Sequence, residues 1–464
     1  MRRFSIPVGR AKAFALGALL ALAPAACNDV TDNLLEATDP DIINPDDIRN
    51  VEGAIALYNG TLERFREITA DGAVVSTWLF GGLLADEWST TSTFVQNDET
   101  DQRAIQLNNS IVTDQFRNLN QVRTSANQAI AALTEFRPNP PSAIAEMYFA
   151  RGFAELQLAQ DFCNGIPLSD GSGVEIEFGE PQPIQEILQI AVASFDSALA
   201  RSTGTGAANV LVNNAAKIGR GRALLALNQY PEAAQSVAGV PTNFSYQHTF
   251  SLTTSDNLIW SQNTSAGRFG VADSVEGNGR DIPVLNALPF GSANDPRLPV
   301  EDTGDPGQDG QTLLRVTSLY DRLTPIDVVN GIDARLIEAE AALKAGDVTQ
   351  WLAILNGLRT GPTRVTQLGE VTLAANDLPP LADPGTADAR IDLMFREKAF
   401  WTFSRGQRLG DLRRLVRQYG RAPAAVFPVG THYKGGQYGA DVNLPVPADE
   451  QNNPNFEGCL NRSA

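Results

Sequence analysis

Seven stretches of the chain repeat apolar residues at three- and four-residue spacing, the pattern that gives a helix one buried face. They cover roughly residues 46–68, 114–136, 141–162, 183–201, 207–238, 325–358 and 387–418. Within 213–240, Ala and Leu recur at spacings that let one helix stack on another; an Asn-Gln-Tyr-Pro segment then breaks the run, and a second apolar face follows. Residues 331–359 repeat that plan. Ala334, Ala339 and Ala342 keep the first helix slim, Gly346 and Asp347 interrupt it, and Trp351 with Leu355 begins the return.

Both stretches resemble tetratricopeptide units, helical hairpins that bury their apolar faces only by stacking on neighbours. The repeats concentrate in 114–238 and 325–420, too far apart in sequence for an uninterrupted solenoid. Two stretches of another kind lie around them. Residues 76–112 are rich in Ser, Thr, Asn and Asp around Trp78, Trp88 and Phe94, and residues 240–324 are rich in Gly, Pro and Asn with no helical period. Both read as loops over a helical frame, where binding sites usually sit. Short strand pairs are expected near 245–252 and 313–316. The whole of 46–464 reads as one domain.

Charge removes one class of function. Without the first 26 residues, which contribute four basic residues and no acid, 32 basic residues face 54 acidic ones, a net of −22. Such a field repels polyphosphate, and no nucleic-acid partner is expected. The stretch 395–415 nevertheless holds six basic and four aromatic side chains. Read as one helix, it places Phe395, Phe400, Trp401 and Phe403 along one side and Glu397, Trp401, Arg405, Arg408 and Leu412 on one line. Its arginines are therefore expected to be internal clasps, with Glu338 and Glu340 as partners.

The first 26 residues have a basic leader, an apolar run from Ala13 to Ala23 and then small residues, the layout of a secretory signal. The stretch Ala-Pro-Ala-Ala-Cys ending at Cys27 resembles the lipobox of bacterial lipoproteins, whose Cys becomes the lipidated first residue. Pro24 stands where that motif prefers Leu, so a plain cleaved signal is the alternative. Residues 27–45 are acidic and turn-rich and read as a tether. With Cys27 modified, Cys163 and Cys459 remain as a pair in an oxidising compartment, which predicts a disulfide closing a loop of roughly 300 residues. Two buried thiols are the alternative.

Catalytic motifs are scarce. Gly219 and Gly221 lie in a helix without the strand and third glycine of a phosphate-binding loop, and read as sites of close helix packing. His248 and His432, the only histidines, stand in loop-like contexts and are expected to be solvated; neither has zinc-ligand spacing. Asp86 and Glu87, adjacent acids beside Trp88, are the most suggestive carboxylates for glycoside hydrolysis, although neighbours on a turn point apart and a solvated surface is expected. The Asp and Gly runs at 170–175 and 302–310 lack the register of a calcium loop. No cofactor is expected. Aromatics say more, because a sugar ring packs its C–H face on an aromatic plane while amides and carboxylates take its hydroxyls. Residues 86–98 supply that mixture, and the loop 260–273 could supply a second wall. The candidate ligand contacts are Trp88, Phe94, Asn97, Asp98 and Phe269, while Trp260, Trp351 and Trp401 read as core.

Four segments, in order, carry a further resemblance. They are a helix running into Gly165-Ile-Pro-Leu168; the repeat ending on Asn356 and Arg359; the run Arg405, Gly406, Arg408, Asp411, Leu412, Arg414; and a closing set of Pro445, Pro447, Glu450, Asn453, Pro454 and Asn455. With Cys27, these are similar to the SusD/RagB nutrient-uptake lipoproteins of the bacterial outer membrane. The resemblance implies a mostly α fold, a tetratricopeptide-like hairpin scaffold with a loop-rich ligand-binding half and few short strands. It implies no covalent chemistry, a lipid anchor in the outer membrane facing outward, an oligosaccharide or other nutrient as ligand, and a SusC-like TonB-dependent transporter as partner. A secreted glycoside hydrolase and a periplasmic protein-binding scaffold are the other readings.

Overall fold

The computed structural model describes residues 49–71, 76–173, 175–367, 370–375 and 378–464. The signal segment, Cys27 and the tether lie outside the described residues.

Helices α1 (Val51–Glu67), α2 (Thr77–Leu84), α3 (Val95–Asp101), α4 (Ser110–Phe136), α5 (Pro141–Asp161), α6 (Ile184–Arg201), α7 (Ala207–Ala226) and α8 (Tyr230–Val237) precede the long insert. After it come α9 (Gly331–Lys344), α10 (Val348–Thr360), α11 (Ala387–Trp401) and α12 (Arg408–Tyr419). Short strands lie between the helices: β1 (Trp88–Thr90), β2 (Ile166–Pro167), β3 (Pro181–Gln182), β4 (Ser245–His248), β5 (Phe269–Val271), β6 (Val275–Glu276), β7 (Ile282–Pro283), β8 (Val300–Pro306), β9 (Leu313–Thr317), β10 (Ile326–Asn330), β11 (Pro362–Gln367) and β12 (Glu370–Ala375). Local chemistry sets their ends. The Asn109 side chain accepts from Ile111 N and Val112 N at the start of α4, and Asn330 with Asp333 forms a reciprocal capping box on α9. Asn228, at φ 64°, separates α7 from α8, and Gly420, in the left-handed region, ends α12. α1 packs on α4, α4 on α5, α5 on α6, α6 on α7 and α7 on α8. The slim positions serve this stacking. A Cβ on Gly219 would stand 2.5 Å from the Phe195 ring, and Ala334 and Ala339 are fully buried.

The two groups of hairpins are continuous in space, contrary to the expectation from their separation in sequence. α9 packs directly on α8 and α7, so the stack resumes where it stopped. The hairpin expected within 325–358 is present as α9 and α10, but the first residues of that stretch, expected to be helical, form a strand, β10 (Ile326–Asn330). β10 pairs antiparallel with β4 (Ser245–His248), with Ile326 opposite His248 and Asn330 opposite Ser245. This ladder forms a neck through which the insert leaves and returns. Its β-branched Ile326, Val328 and Val329 are buried, and tertiary burial decides for a strand over the helical period. The strand expected near 313–316 is β9 (Leu313–Thr317), paired with β8 (Val300–Pro306).

Two further corrections concern helices. Residues 76–112, read as loop, contain α2 and α3, and all eight residues of α2 are buried. Helix 387–418 is two helices, because Ser404 and Gly406 take φ of 58° and 63° between them. A Cβ on Gly406 would lie 2.1 Å from Trp78 Cδ1, so the turn is pressed against α2.

The basic segment is interior, as its residue types suggested. Arg405 donates to both carboxylate oxygens of Asp333. Arg414 pairs with Glu340 and, at 3.0 Å, with Asp411, while Lys398 Nζ stands 2.8 Å from Asp411. Arg413 donates to Ala159 O at 3.2 Å and Gln160 O at 2.6 Å, on the electronegative C-terminal end of α5. Glu338, the other expected partner, pairs with Arg335 in its own helix instead. Cys163 and Cys459 form a disulfide, Cα–Cα 6.1 Å, across a sequence separation of 296. It ties the C-terminal tail to the end of α5.

Candidate functional site

The two aromatic-bearing stretches meet edge to edge. β1 (Trp88–Thr90) pairs antiparallel with β5 (Phe269–Val271), Trp88 opposite Val271 and Thr90 opposite Phe269. The ladder extends outward: Thr91 N donates to Arg268 O at 3.0 Å and Thr91 Oγ1 to Gly267 O at 2.8 Å. A third segment docks on both, with Gln308 N donating to Gly267 O at 2.7 Å and Asp309 N to Thr91 O at 2.9 Å. This closeness requires Gly307, whose Cβ would sit 2.5 Å from Thr91 Cβ. The fourth segment arrives through Lys434. Its Nζ donates to Ser92 O and to Asp98 Oδ1, each at 2.7 Å, and lies 3.3 Å from Asp309 Oδ2.

Sequence distance alone hides these partners: Lys434 and Asp98 are 336 residues apart. Burial pushes the Asp98 carboxyl above its ordinary value even though Lys434 and Thr90 favour its charged form. Burial would raise Asp309 too, but donors from Gln311 N and the Thr312 backbone and hydroxyl outweigh it and hold that carboxyl low.

The candidate contacts divide by burial. Trp88 is 0 % exposed, with its indole N–H donating to Ser404 Oγ at 3.2 Å and its ring 5.0 Å from Phe403. Phe269 and Asn97 are likewise 0 % exposed. Being fully buried, these three support the surface from behind rather than face a ligand. Phe94 and Asp98 are half-exposed. The Arg268 guanidinium stands 4.8 Å from the Phe94 ring centroid, stacked as a cation on its face. Gln308 is exposed and its Oε1 accepts from Ser92 Oγ at 3.2 Å. Arg268, Gln308 and Lys434 were missed in the sequence; the aromatic and amide mixture around 86–98 pointed to the place but not to what crosses it.

The carboxylates beside Trp88 are not solvated. Asp86 and Glu87 are 5 % and 0 % exposed. Glu87 accepts from Ser404 N at 3.2 Å, and burial pushes its carboxyl up to about 8 against the pull of Arg408 and that backbone N–H. Both histidines are buried as well. His248 sits under Phe65 with Nδ1 2.9 Å from Thr69 Oγ1, and His432 packs between Tyr433 and Tyr438. Among the described residues no cluster of three His, Cys, Asp or Glu side chains is placed to hold a metal ion. What the four-segment surface offers is a half-exposed aromatic ring, a stacked guanidinium, a primary amide and an ammonium flanked by carboxylates. Such a set has the chemistry to take hydroxyl-rich, ring-shaped molecules through stacking and directional hydrogen bonds.

No protein-family model matches the chain, and a search of curated proteins finds no match. Solved structures do match. The chain is similar to a SusD superfamily protein from Bacteroides fragilis at TM-score 0.62 and 15 % identity, over 88 % of this chain and 99 % of that one. It is similar to a SusD-like protein from the same species at TM-score 0.60 and 13 % identity, over 90 % and 98 %. A SusD-like carbohydrate binding protein, also from Bacteroides fragilis, matches at TM-score 0.57 and 14 % identity, over 88 % and 100 %. With the continuous stack of hairpins, the necked insert and the interior basic segment, these alignments along nearly the whole of each partner give this chain the SusD/RagB fold.

Proposed function

We propose that this protein is a non-catalytic glycan-binding lipoprotein, held at the outer face of the outer membrane by a lipid on Cys27, that passes oligosaccharide to a TonB-dependent transporter. The observation that carries the binding step is the convergence of Phe94, Arg268, Asp98, Gln308 and Lys434 from four separate segments. A half-exposed ring, rimmed by donors and acceptors, suits a sugar. The carbohydrate-binding description of the structural neighbour supports the same ligand class. Anchor, location and transporter follow from the lipobox-like segment and from the sequence resemblance. Phe94 and Asp98 are the proposed contacts from the sequence, with Trp88, Asn97 and Phe269 holding the loop that presents them.

Affinity electrophoresis through gels containing individual polysaccharides tests the binding step. Retardation of the wild type by at least one glycan, relieved in Phe94→Ala, is the expected result; equal mobility of both proteins in every gel would count against it. The anchor and partner are tested in the native membrane. Cys27→Ala should release the protein to the soluble fraction, and mild detergent should extract the wild type together with a large β-barrel protein.

A further inference from the structure

A cavity of about 380 Å³ opens along the flank of α4, and none of the residues of the four-segment surface lines it. We propose that it is a second carbohydrate site, for a neutral, hydroxyl-rich ligand. It shares with the proposed function only the class of ligand, since its walls are different residues.

One wall is a stripe on α4. Asn120, Gln121, Thr124, Ser125 and Gln128 line the cavity and follow the three- and four-residue steps of one helical face. All five are half-buried. Between Arg117 and Glu135 the only charged residue is Arg123, which is 7 % exposed. In so acidic a protein a merely solvated helix face would carry charge. Asn, Ser and Thr also weaken a helix relative to Ala, Glu or Lys, and places where local preference is overridden tend to be functional.

Three side chains on this stripe have hydrogen-bonding capacity to spare. In the lining, Thr113 spends its hydroxyl on Asn109 O at 3.3 Å and Asn120 its amide N–H on Phe116 O at 3.0 Å, and beyond it Thr134 spends its hydroxyl on Ile130 O at 2.6 Å. Thr124, Ser125 and Gln128 lack any such partner among the described residues. The opposite wall is held in place: Arg123 donates to Asn120 Oδ1 at 2.9 Å and to Ser169 O at 3.3 Å, pinning the loop after α5 to the stripe. The site is therefore assembled before a ligand arrives.

Charge and shape select the ligand. The lining carries Arg64 and Arg117 against Asp449 and Glu450, and Arg117 lies 3.0 Å from Asp114 and 3.5 Å from Asp449, so the cavity has no excess of positive charge to select an anionic group. A peptide would need apolar pockets for its side chains or an open strand edge. Phe116, the one aromatic in the lining, is 3 % exposed, and a helix forms the wall. Amides and hydroxyls that each donate and accept match vicinal hydroxyls.

The test uses the full protein with maltohexaose, xylohexaose, cellohexaose and mannohexaose at millimolar concentration, read by calorimetry and ligand-observed NMR. Ser125→Trp fills the cavity, Gln128→Ala trims it mildly, and Phe94→Ala damages only the other surface; circular dichroism confirms that each folds. The expected result is at least one sugar whose binding weakens roughly tenfold or more in Ser125→Trp, and measurably in Gln128→Ala, yet is retained in Phe94→Ala. Binding lost only in Phe94→Ala overturns the second site and leaves the proposed function standing. Failure of every sugar to bind the wild type, or competition for the cavity by a tryptic peptide mixture but by no sugar, overturns it as well.

Discussion

Arg405 donates to both oxygens of Asp333, at 3.0 Å and 2.6 Å, with both side chains buried. The same carboxylate accepts from Asn330 N at 2.8 Å as part of the capping box of α9, and Arg405 Nε donates to Asp327 O in the neck strand β10 at 2.9 Å. One ion pair thus joins three parts: the turn between α11 and α12, the first turn of the resumed stack, and the neck of the insert.

Replacing Arg405 by Met should therefore cost about 3–5 kcal/mol, chiefly because it leaves a buried carboxylate without its cation. Adding Asp333→Asn, which keeps the capping acceptor and removes the charge, should recover a large part of that loss. Urea denaturation of the two single variants and the double variant gives the coupling. Additive losses would show that the two side chains act separately.

His248 should make stability pH-dependent. Burial, with a smaller contribution from Arg66, lowers its pKa from the ordinary 6.5 to about 3. The unfolded chain takes up a proton below pH 6.5 while the folded protein does not. Stability from the neutral ring is therefore complete above that pH and falls as pH drops toward 3, by about 1.4 kcal/mol per unit. His248→Gln should gain on the wild type by about that much for each unit of acidification below roughly pH 6.5. Paired denaturation curves along the pH series read the difference, and a pH-independent gap would show that the histidine does not titrate as its burial requires.

Gly406 and Gly420 share a left-handed backbone, at φ 63° and 66°, in different surroundings. A Cβ on Gly420 meets nothing within 4 Å, whereas on Gly406 it would lie 2.1 Å from Trp78. Gly420→Ala should cost about 1 kcal/mol, the conformational strain alone. Gly406→Ala should cost about 3 kcal/mol or more, because α2 and its indole must also move. Similar thermal stability of the two variants would contradict the close approach.

Removing the disulfide should matter through the unfolded chain. For a loop of 296 residues, the chain-entropy relation gives about 5–6 kcal/mol as the upper value for stabilisation. Cys163→Ser with Cys459→Ser should lower the urea midpoint. Reducing agent should do the same to the wild type and nothing to the double variant.

Some of this was legible in the residues. Ala334, Ala339, Gly219 and Gly221 announce close-packed helices because a small side chain in an apolar stripe is a local fact about one helix. The pairing of Cys163 with Cys459 followed from counting, and the burial of Arg405, Arg408 and Arg414 from cations alternating with aromatics in an otherwise acidic chain. Resemblance in four ordered segments anticipated the fold.

What only the folded chain decided depends on partners far away in sequence. Periodicity could not distinguish strand β10 from a helix, since Ile326, Val328 and Val329 choose their backbone by the neighbour they meet, Ser245–His248. The continuity of α8 with α9 and the meeting of Phe94 with Arg268 are products of which apolar faces and buried charges can be satisfied together. So is the burial of Trp88, Glu87 and His248, whose residue types suggested water or ligand. A stretch of sequence determines its own turns and amphipathic faces through steric and hydrogen-bonding rules acting over a few residues. Which faces touch is settled by the whole chain, because burial and charge pairing stabilise only when both sides are present.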